Sequence, residues 1–262
     1  EAFILSAAYV MPLEPLQHVL QDHALVCQQG KIHAILPRAQ ACAQWPQLPH
    51  EHYSQHVLLP GLINAHTHSP MSLLRGVADD FSLTDWLTKK IWPLENALMA
   101  QSPEEMIFAG SLLAGAEMLT GGITTFNDMY FYPEATARAA AQLGIRAHLG
   151  MVSIDFPSHY ATDAAAYIAR GQATTRQLAQ WPQAEYFSTS LAPHAPYTVN
   201  EAHLALLAQT AQQTGQRVQI HLQETHEEVS NSLREYGCRP LQRLQRHGLV
   251  NQQFTAIHAV AL

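Results

Sequence analysis

Apolar and polar positions change rhythm along the chain. In residues 1–56, short β-prone runs such as AAYVM, HALVCQQG and KIHAILP are separated by prolines and Gly30, which predicts strands joined by tight turns. Pro12 and Pro15 break the first apolar stretch, and AQWPQLPHEHYSQH reads as a polar connector without a strand. At VLLPGLINAHTHS an apolar run ends in a Pro-Gly turn and a second run ends in His-x-His, so a domain boundary is expected near residue 57. The segments on either side are a small β unit over 1–56, part of a β-sandwich, and a larger domain over 57–262.

Beyond that boundary β-type runs alternate with helical stretches: GGITTFNDMY, PEATARAAAQLG, IRAHLGMVSIDF, DAAAYIARGQATTRQLAQ, YFSTSLAPHAPY, EAHLALLAQTAQQTG, RVQIHLQET, EEVSNSLREYG, FTAIHAVAL. Strand, helix, strand is the rhythm of parallel βαβ units. Counting INAHTH, six strands are expected, beginning near 62, 123, 146, 187, 218 and 255. Gly144, Gly215 and Gly248 fall between a helix and the next strand, where a left-handed C-cap residue is wanted. The fold class is α/β, and a (β/α)8 TIM-type barrel two units short fits better than an open sheet. Chemically useful residues gather at the carboxyl ends of several strands, as barrels arrange them.

Composition narrows the possibilities. With 262 residues, 47% hydrophobic and only 13% charged, the chain can bury a sizeable core and is not mainly disordered. No apolar run approaches the roughly 20 residues that span a bilayer, so no membrane partner is expected. A net charge of -7 without clustered Lys or Arg argues against nucleic acid as a partner. Cys27, Cys42 and Cys238 form no Cys-x-x-Cys, and the acidic N-terminal flank is a poor secretory signal, so a cytoplasmic location is expected. Histidine is the outlier: 16 residues, against 14 Lys and Arg together. Imidazole is the commonest metal ligand in proteins.

Position decides which histidines matter. His66 and His68 are two apart on a strand, so both imidazoles point to one face. His50 and His52 show the same spacing but fall in the connector, and read as surface residues. In RVQIHLQET, Val218, Ile220 and Leu222 share one face while Gln219, His221 and Gln223 share the other, which turns the polar face inward. Glu224 follows just past the strand end, close enough to serve a water at a metal without being a ligand. His258 repeats the arrangement in FTAIHAVAL. Four histidines at three strand ends, with an adjacent glutamate, outweigh the plain reading of satisfied core histidines. The chain has no His-Glu-x-x-His, Gly-x-Ser-x-Gly, Gly-x-x-x-x-Gly-Lys, Gly-x-Gly-x-x-Gly or Pro-Cys-x-x-Cys. Imidazoles with an oxygen donor suit zinc best, iron being the alternative.

PGLINAHTHSPMSLLRGVADDFSLTDWL, running on to WPLE at Glu95, resembles the start of an amidohydrolase-superfamily barrel. With TTFNDMYFYPEATARAA, LAPHAPYTV, HLQET and IHAVAL, the whole chain is similar to the methylthioadenosine/S-adenosylhomocysteine deaminases and their triazine-hydrolase relatives. The resemblance implies that His66, His68 and His221 bind one divalent metal, zinc or iron, and that Glu224 shuttles protons. It further implies that His258 hydrogen-bonds the attacking water and that Glu95 and His194 contact ribose and base. The implied activity is hydrolytic deamination of the adenine of a small nucleoside, 5′-methylthioadenosine, S-adenosylhomocysteine or adenosine, with release of ammonia by a homo-oligomer. A guanine-type deaminase or triazine hydrolase would use the same metal set, and a non-catalytic fragment of such an enzyme is the alternative outside enzymes.

The strand reading STSLAPHAPY carries no Lys, which argues against a carbamylated-lysine dinuclear site. The family takes its last ligand, an Asp, from the eighth strand, and completes the small β unit with strands from the far C-terminus. Both are expected in a C-terminal segment of the same polypeptide, since Asp80, Asp128 and Asp155 are poorly placed to substitute. The loop GMVSIDFPSHY offers Met151, Ile154 and Phe156 but no Arg between Arg146 and Arg170. That predicts a preference for methylthioadenosine over S-adenosylhomocysteine, with Met151 and Phe156 against the thioether methyl.

Overall fold

Residues 1–14 and 18–262 are described by the computed structural model, in two units, Glu1–Gly61 and Leu62–Leu262. The break expected at Pro15 lies outside the described residues.

In the first unit the alternating runs become β1 (Ala2–Val10), β2 (Leu20–Gln21), β3 (His23–Gln28) and β4 (Lys31–Pro37), followed by α1 (Arg38–Gln44) and β5 (His50–Leu58). The antiparallel order is β2-β1-β3-β4, with β5 pairing β1 in parallel. Gln29 and Gly30 both take positive φ between β3 and β4, the backbone of a two-residue hairpin turn whose twist matches the strands. Ile4, Ala24, Val26 and Ala41 form its core. The connector corrects the sequence reading. His50 and His52 lie on a strand, two positions apart on the face that meets Ser6 Oγ, at 2.7 Å from His50 Nε2 and 2.8 Å from His52 Nδ1. Residues of β5 are exposed almost throughout, so no apolar alternation marked it.

The second unit begins with β6 (Leu62–Thr67) and a 3-10 turn over Ser69–Leu74. Next come α2 (Leu83–Trp86), a π-helical stretch over Leu87–Ile91, α3 (Trp92–Met99) and α4 (Pro103–Thr120). Then β7 (Ile123–Tyr130), α5 (Pro133–Leu143), β8 (Arg146–Ser153), α6 (Ala164–Leu178), β9 (Phe187–Pro193) and α7 (Glu201–Thr214) alternate. β10 (Arg217–Leu222), α8 (His226–Tyr236), α9 (Pro240–Arg246) and β11 (Phe254–His258) complete the unit. All six strands pair in parallel, in the order β11-β10-β9-β8-β7-β6.

Side chains on alternate faces explain the curvature. Val218, Ile220 and Leu222 pack outward with Leu204, Leu207 and Leu244, while Phe126, Leu149 and Met151 pack with Ala137, Ala140 and Leu178. Inward, Asn127 Nδ2 donates to Gln219 Oε1 at 2.7 Å, and Gln219 Nε2 donates to Ser190 Oγ at 3.0 Å. β7 and β10 are not neighbours in the sheet, so this bond requires the sheet to curl until its inner faces meet. The result is six consecutive units of a (β/α) TIM-type barrel.

α4, an 18-residue helix, was not anticipated. It is apolar around most of its circumference, so no polar stripe sets off a 3.6-residue period. Its Gly110 lies against the 3-10 turn: a Cβ there would fall 2.3 Å from Pro70 O. Met151 also departs from expectation. Its side chain lies against Gly171 of α6, in the core between strands and helices, rather than in the barrel mouth.

Candidate metal centre

The strand ends assemble the histidines. His66 and the residue after β6, His68, project from the first barrel strand, and His221 from β10. Their ligand atoms lie within 4.8 Å of one another. His66 Nε2 and His221 Nε2 are 3.2 Å apart. Two nitrogens at 2.0–2.1 Å from a tetrahedral ion stand about 3.3–3.4 Å apart, so the spacing suits a shared cation.

Tautomers are set by backbone. His68 Nδ1 donates to Met129 O at 2.6 Å and His221 Nδ1 to His194 O at 2.8 Å; a carbonyl can only accept, so each Nε2 carries the free lone pair. Such bonds to the second nitrogen are how metal-binding imidazoles are aimed. His66 Nδ1 is buried without a hydrogen-bond partner among the described residues. Burial, reinforced by the neighbouring histidines, lowers the His66 pKa to about 3 and that of His221 further. His68 is lowered as well, again chiefly by burial. The lone pairs fixed on His68 and His221, with the His66 ring converging on them, fit a divalent cation. Among the described residues no carboxylate or thiolate joins this group.

The other expected site residues surround it. Glu224 follows β10, and its Oε1 is 3.6 Å from His258 Nε2. The His258 ring stacks on His221 at 5.3 Å between centroids and an interplanar angle of 15°. His194 lies just past β9, its ring 4.9 Å from that of His221, with Nδ1 3.1 Å from Thr198 Oγ1. Burial, with His68 as a lesser cause, lowers its pKa to about 3. Glu95, on α3, accepts a hydrogen bond from Tyr130 Oη. Burial raises its pKa to about 7, against the pull of that bond. Glu95, Tyr130 and His194 line a cavity walled by Met71, Trp92, Phe131 and Phe156, and among the described residues no Lys or Arg lines it.

Two of the aspartates set aside earlier, Asp128 and Asp155, have other partners. Asp128 lies within β7 and its Oδ1 accepts from Ser69 N at 2.6 Å. Asp155 Oδ1 is 2.7 Å from His203 Nδ1, whose Nε2 is 3.0 Å from Ser153 Oγ. Three contributors escaped the sequence reading: Tyr130, Thr198 and Glu228. Only Glu228 had a signal, since Thr225-x-x-Glu228 is a capping-box spacing.

Comparison with known proteins shows the family. Residues 57–261 match the Amidohydrolase family. A 5-methylthioadenosine/S-adenosylhomocysteine deaminase from Saccharophagus degradans is 38% identical over 255 residues, 97% of this chain and 56% of the relative. An adenosine deaminase from Xanthomonas campestris, solved with bound zinc, superposes with a TM-score of 0.90 at 42% identity, covering 99% of this chain and 58% of that one. An atrazine chlorohydrolase from Arthrobacter aurescens, complexed with zinc, shares the fold at 20% identity, with a TM-score of 0.88 over 99% of this chain and 61% of that one. The chain thus spans little more than half the length of the curated relative and of the adenosine deaminase.

Proposed function

The chain belongs to the amidohydrolase family, and we propose that the complete protein is a zinc-dependent hydrolytic deaminase acting on the adenine of a 5′-thio-substituted adenosine. The observation that carries this reading is the convergence of the His66, His68 and His221 ligand atoms beside Glu224, at the carboxyl ends of β6 and β10. Relatives named for methylthioadenosine and S-adenosylhomocysteine support the nucleoside, and zinc in the Xanthomonas structure supports the metal.

A divalent cation held by the three imidazoles would supply Lewis acidity, which brings the pKa of water to about 7. Glu224 takes one proton from the attacking water at its carboxylate and delivers it to the ring nitrogen as the C–O bond forms. It then takes the second proton of that oxygen and delivers it to the amino group, which leaves as ammonia when the C–N bond breaks. His258 Nε2, across from Glu224, orients the water by a hydrogen bond. His194 contacts the base. Glu95 accepts hydrogen bonds from the ribose hydroxyls, and the aromatic and methionine walls exclude bulk water from the cavity. A further carboxylate ligand would come from a segment with which the longer relatives exceed this chain. The reading includes a homo-oligomer in the cytoplasm, testable by light scattering and cell fractionation.

The test is ammonia release by the complete protein from 5′-methylthioadenosine, S-adenosylhomocysteine, adenosine and guanine, with chloride release from a chlorotriazine measured alongside. Turnover of the adenosines is expected. Turnover of guanine or the triazine alone would overturn the reading in favour of those relatives' chemistry.

A further inference from the structure

The turn between β10 and α8 is held by a carboxylate that the proposed chemistry does not use. Thr225, the N-cap of α8, accepts from Glu228 N at 3.1 Å. In a capping box the glutamate returns to the N-cap's own N–H. Glu228 instead reaches further back: Gln223 N donates to its Oε1 at 2.8 Å and Glu224 N to its Oε2 at 2.9 Å. Gln223 takes φ +51°, the left-handed region rare for a side-chain-bearing residue. A left-handed residue in a turn aims successive N–H groups into one concavity, a nest that binds anions. Here the anion is the buried carboxylate of Glu228.

Gln223 also fastens the next strand. Its carbonyl accepts from Ala261 N at 2.8 Å and Val260 N at 3.1 Å, and its Nε2 donates to Ala261 O at 2.9 Å. His258 and Ala259, where β11 ends, take positive φ as well. Two irregular turns are therefore locked to each other, and Glu224 and His258 project from them to face one another at 3.6 Å.

We propose that Glu228 is a positioning residue whose carboxylate, seated in the Gln223–Glu224 nest, holds the Glu224 side chain opposite His258. The proposal rests on the deaminase reading for its effect on turnover, but the clamp itself is readable without activity. Glu228→Gln in the complete protein keeps the side chain's size and replaces one of the two anionic acceptors with an amide nitrogen. Metal content and KM should stay within about twofold of wild type while kcat falls about 10–100-fold, the range for residues that orient a metal site's working groups. Amide hydrogen exchange at Gln223 and Glu224 should accelerate, with α8 still protected. A helix cap alone would give the opposite pattern, with α8 deprotected and kcat intact in the folded protein, and that outcome would overturn the proposal. Should E228Q fail to fold, wild-type exchange still decides: Gln223 and Glu224 amides must exchange slowly, and fast exchange there overturns the clamp. Failure of the deaminase reading would look different, as wild-type protein inert toward every nucleoside with both amides protected.

Discussion

His66 and His221 stand with their Nε2 atoms 3.2 Å apart although 155 positions separate them in the sequence. The curl of the sheet brings them together: β6 and β10 are four strands apart in the order, and only a closed inner face lets their ends meet. The His221 tautomer fixed by His194 O leaves its Nε2 an acceptor, aimed at His66. The site is therefore preorganised by backbone carbonyls before any ion arrives.

Glu224→Gln should separate binding from chemistry. The amide can still hydrogen-bond but cannot take a proton from water, and general acid-base groups contribute roughly 10²–10⁴-fold to rate. The variant should keep its metal while kcat falls by that factor, as read by metal analysis and steady-state kinetics. Turnover within a few-fold of wild type would remove Glu224 from the mechanism.

Gly110→Ala should disturb the site from a distance. The added Cβ would meet the Pro70 carbonyl at 2.3 Å, and neither α4 nor the 3-10 turn after His68 can yield a flexible side chain there. Overpacking of this kind costs about 1–3 kcal/mol. Urea unfolding should show that loss, accompanied by weaker metal retention; unchanged stability would mean that the two backbones separate freely.

Glu95 makes stability depend on pH. Its folded pKa, about 7, stands above the ordinary 4.5 because the carboxyl is buried. The unfolded chain therefore gives up this proton first. The stabilising contribution is complete below about pH 4.5 and is lost as pH rises through 7. Each unit of the shift corresponds to about 1.4 kcal/mol. Glu95→Gln should flatten this part of the stability curve and be more stable than wild type above pH 7. Asp128, raised to about 7 by the same cause, keeps part of the slope in the variant. A stability profile identical to wild type between pH 4.5 and 7 would contradict the assignment.

Much of this was legible along the chain, for physical reasons. The six barrel strands begin within one residue of the expected positions, because Gly144 and Gly215 end helices in the left-handed conformation and apolar runs follow. His66, His68 and His221 could be grouped because strand alternation fixes the side to which each ring points. What stayed hidden lacked a contrast of polarity. β5 is polar on both faces, and α4 is apolar on nearly all of its surface. Met151 could be assigned to the mouth or to the helix side from its type alone, and Gly171, which makes room for it, sits 20 residues away in the sequence. The Glu228 clamp depends on a left-handed glutamine that no residue preference announces.

Substrate preference follows from the cavity lining. The homocysteine tail carries a carboxylate, which a selective site would meet with a bidentate Arg. The cavity offers Met71, Met99, Met129, Trp92 and Phe156, and no Lys or Arg among the described residues. Sulfur against aromatic rings contributes about 0.3–1.5 kcal/mol. The kcat/KM for 5′-methylthioadenosine should exceed that for S-adenosylhomocysteine, and the reverse order would contradict this account of the cavity.

The central claim, that three convergent imidazoles hold the ion on which turnover depends, is tested most directly by metal content and ammonia release measured together on the complete protein and its His68→Ala variant. The wild type should carry one zinc per chain, lose activity when a chelator removes it and regain activity with added zinc. The variant should lose metal by more than the roughly 10–100-fold expected for outer partners, and zinc should not restore it. Stoichiometric metal in the variant, or full turnover by metal-free wild type, would contradict the account.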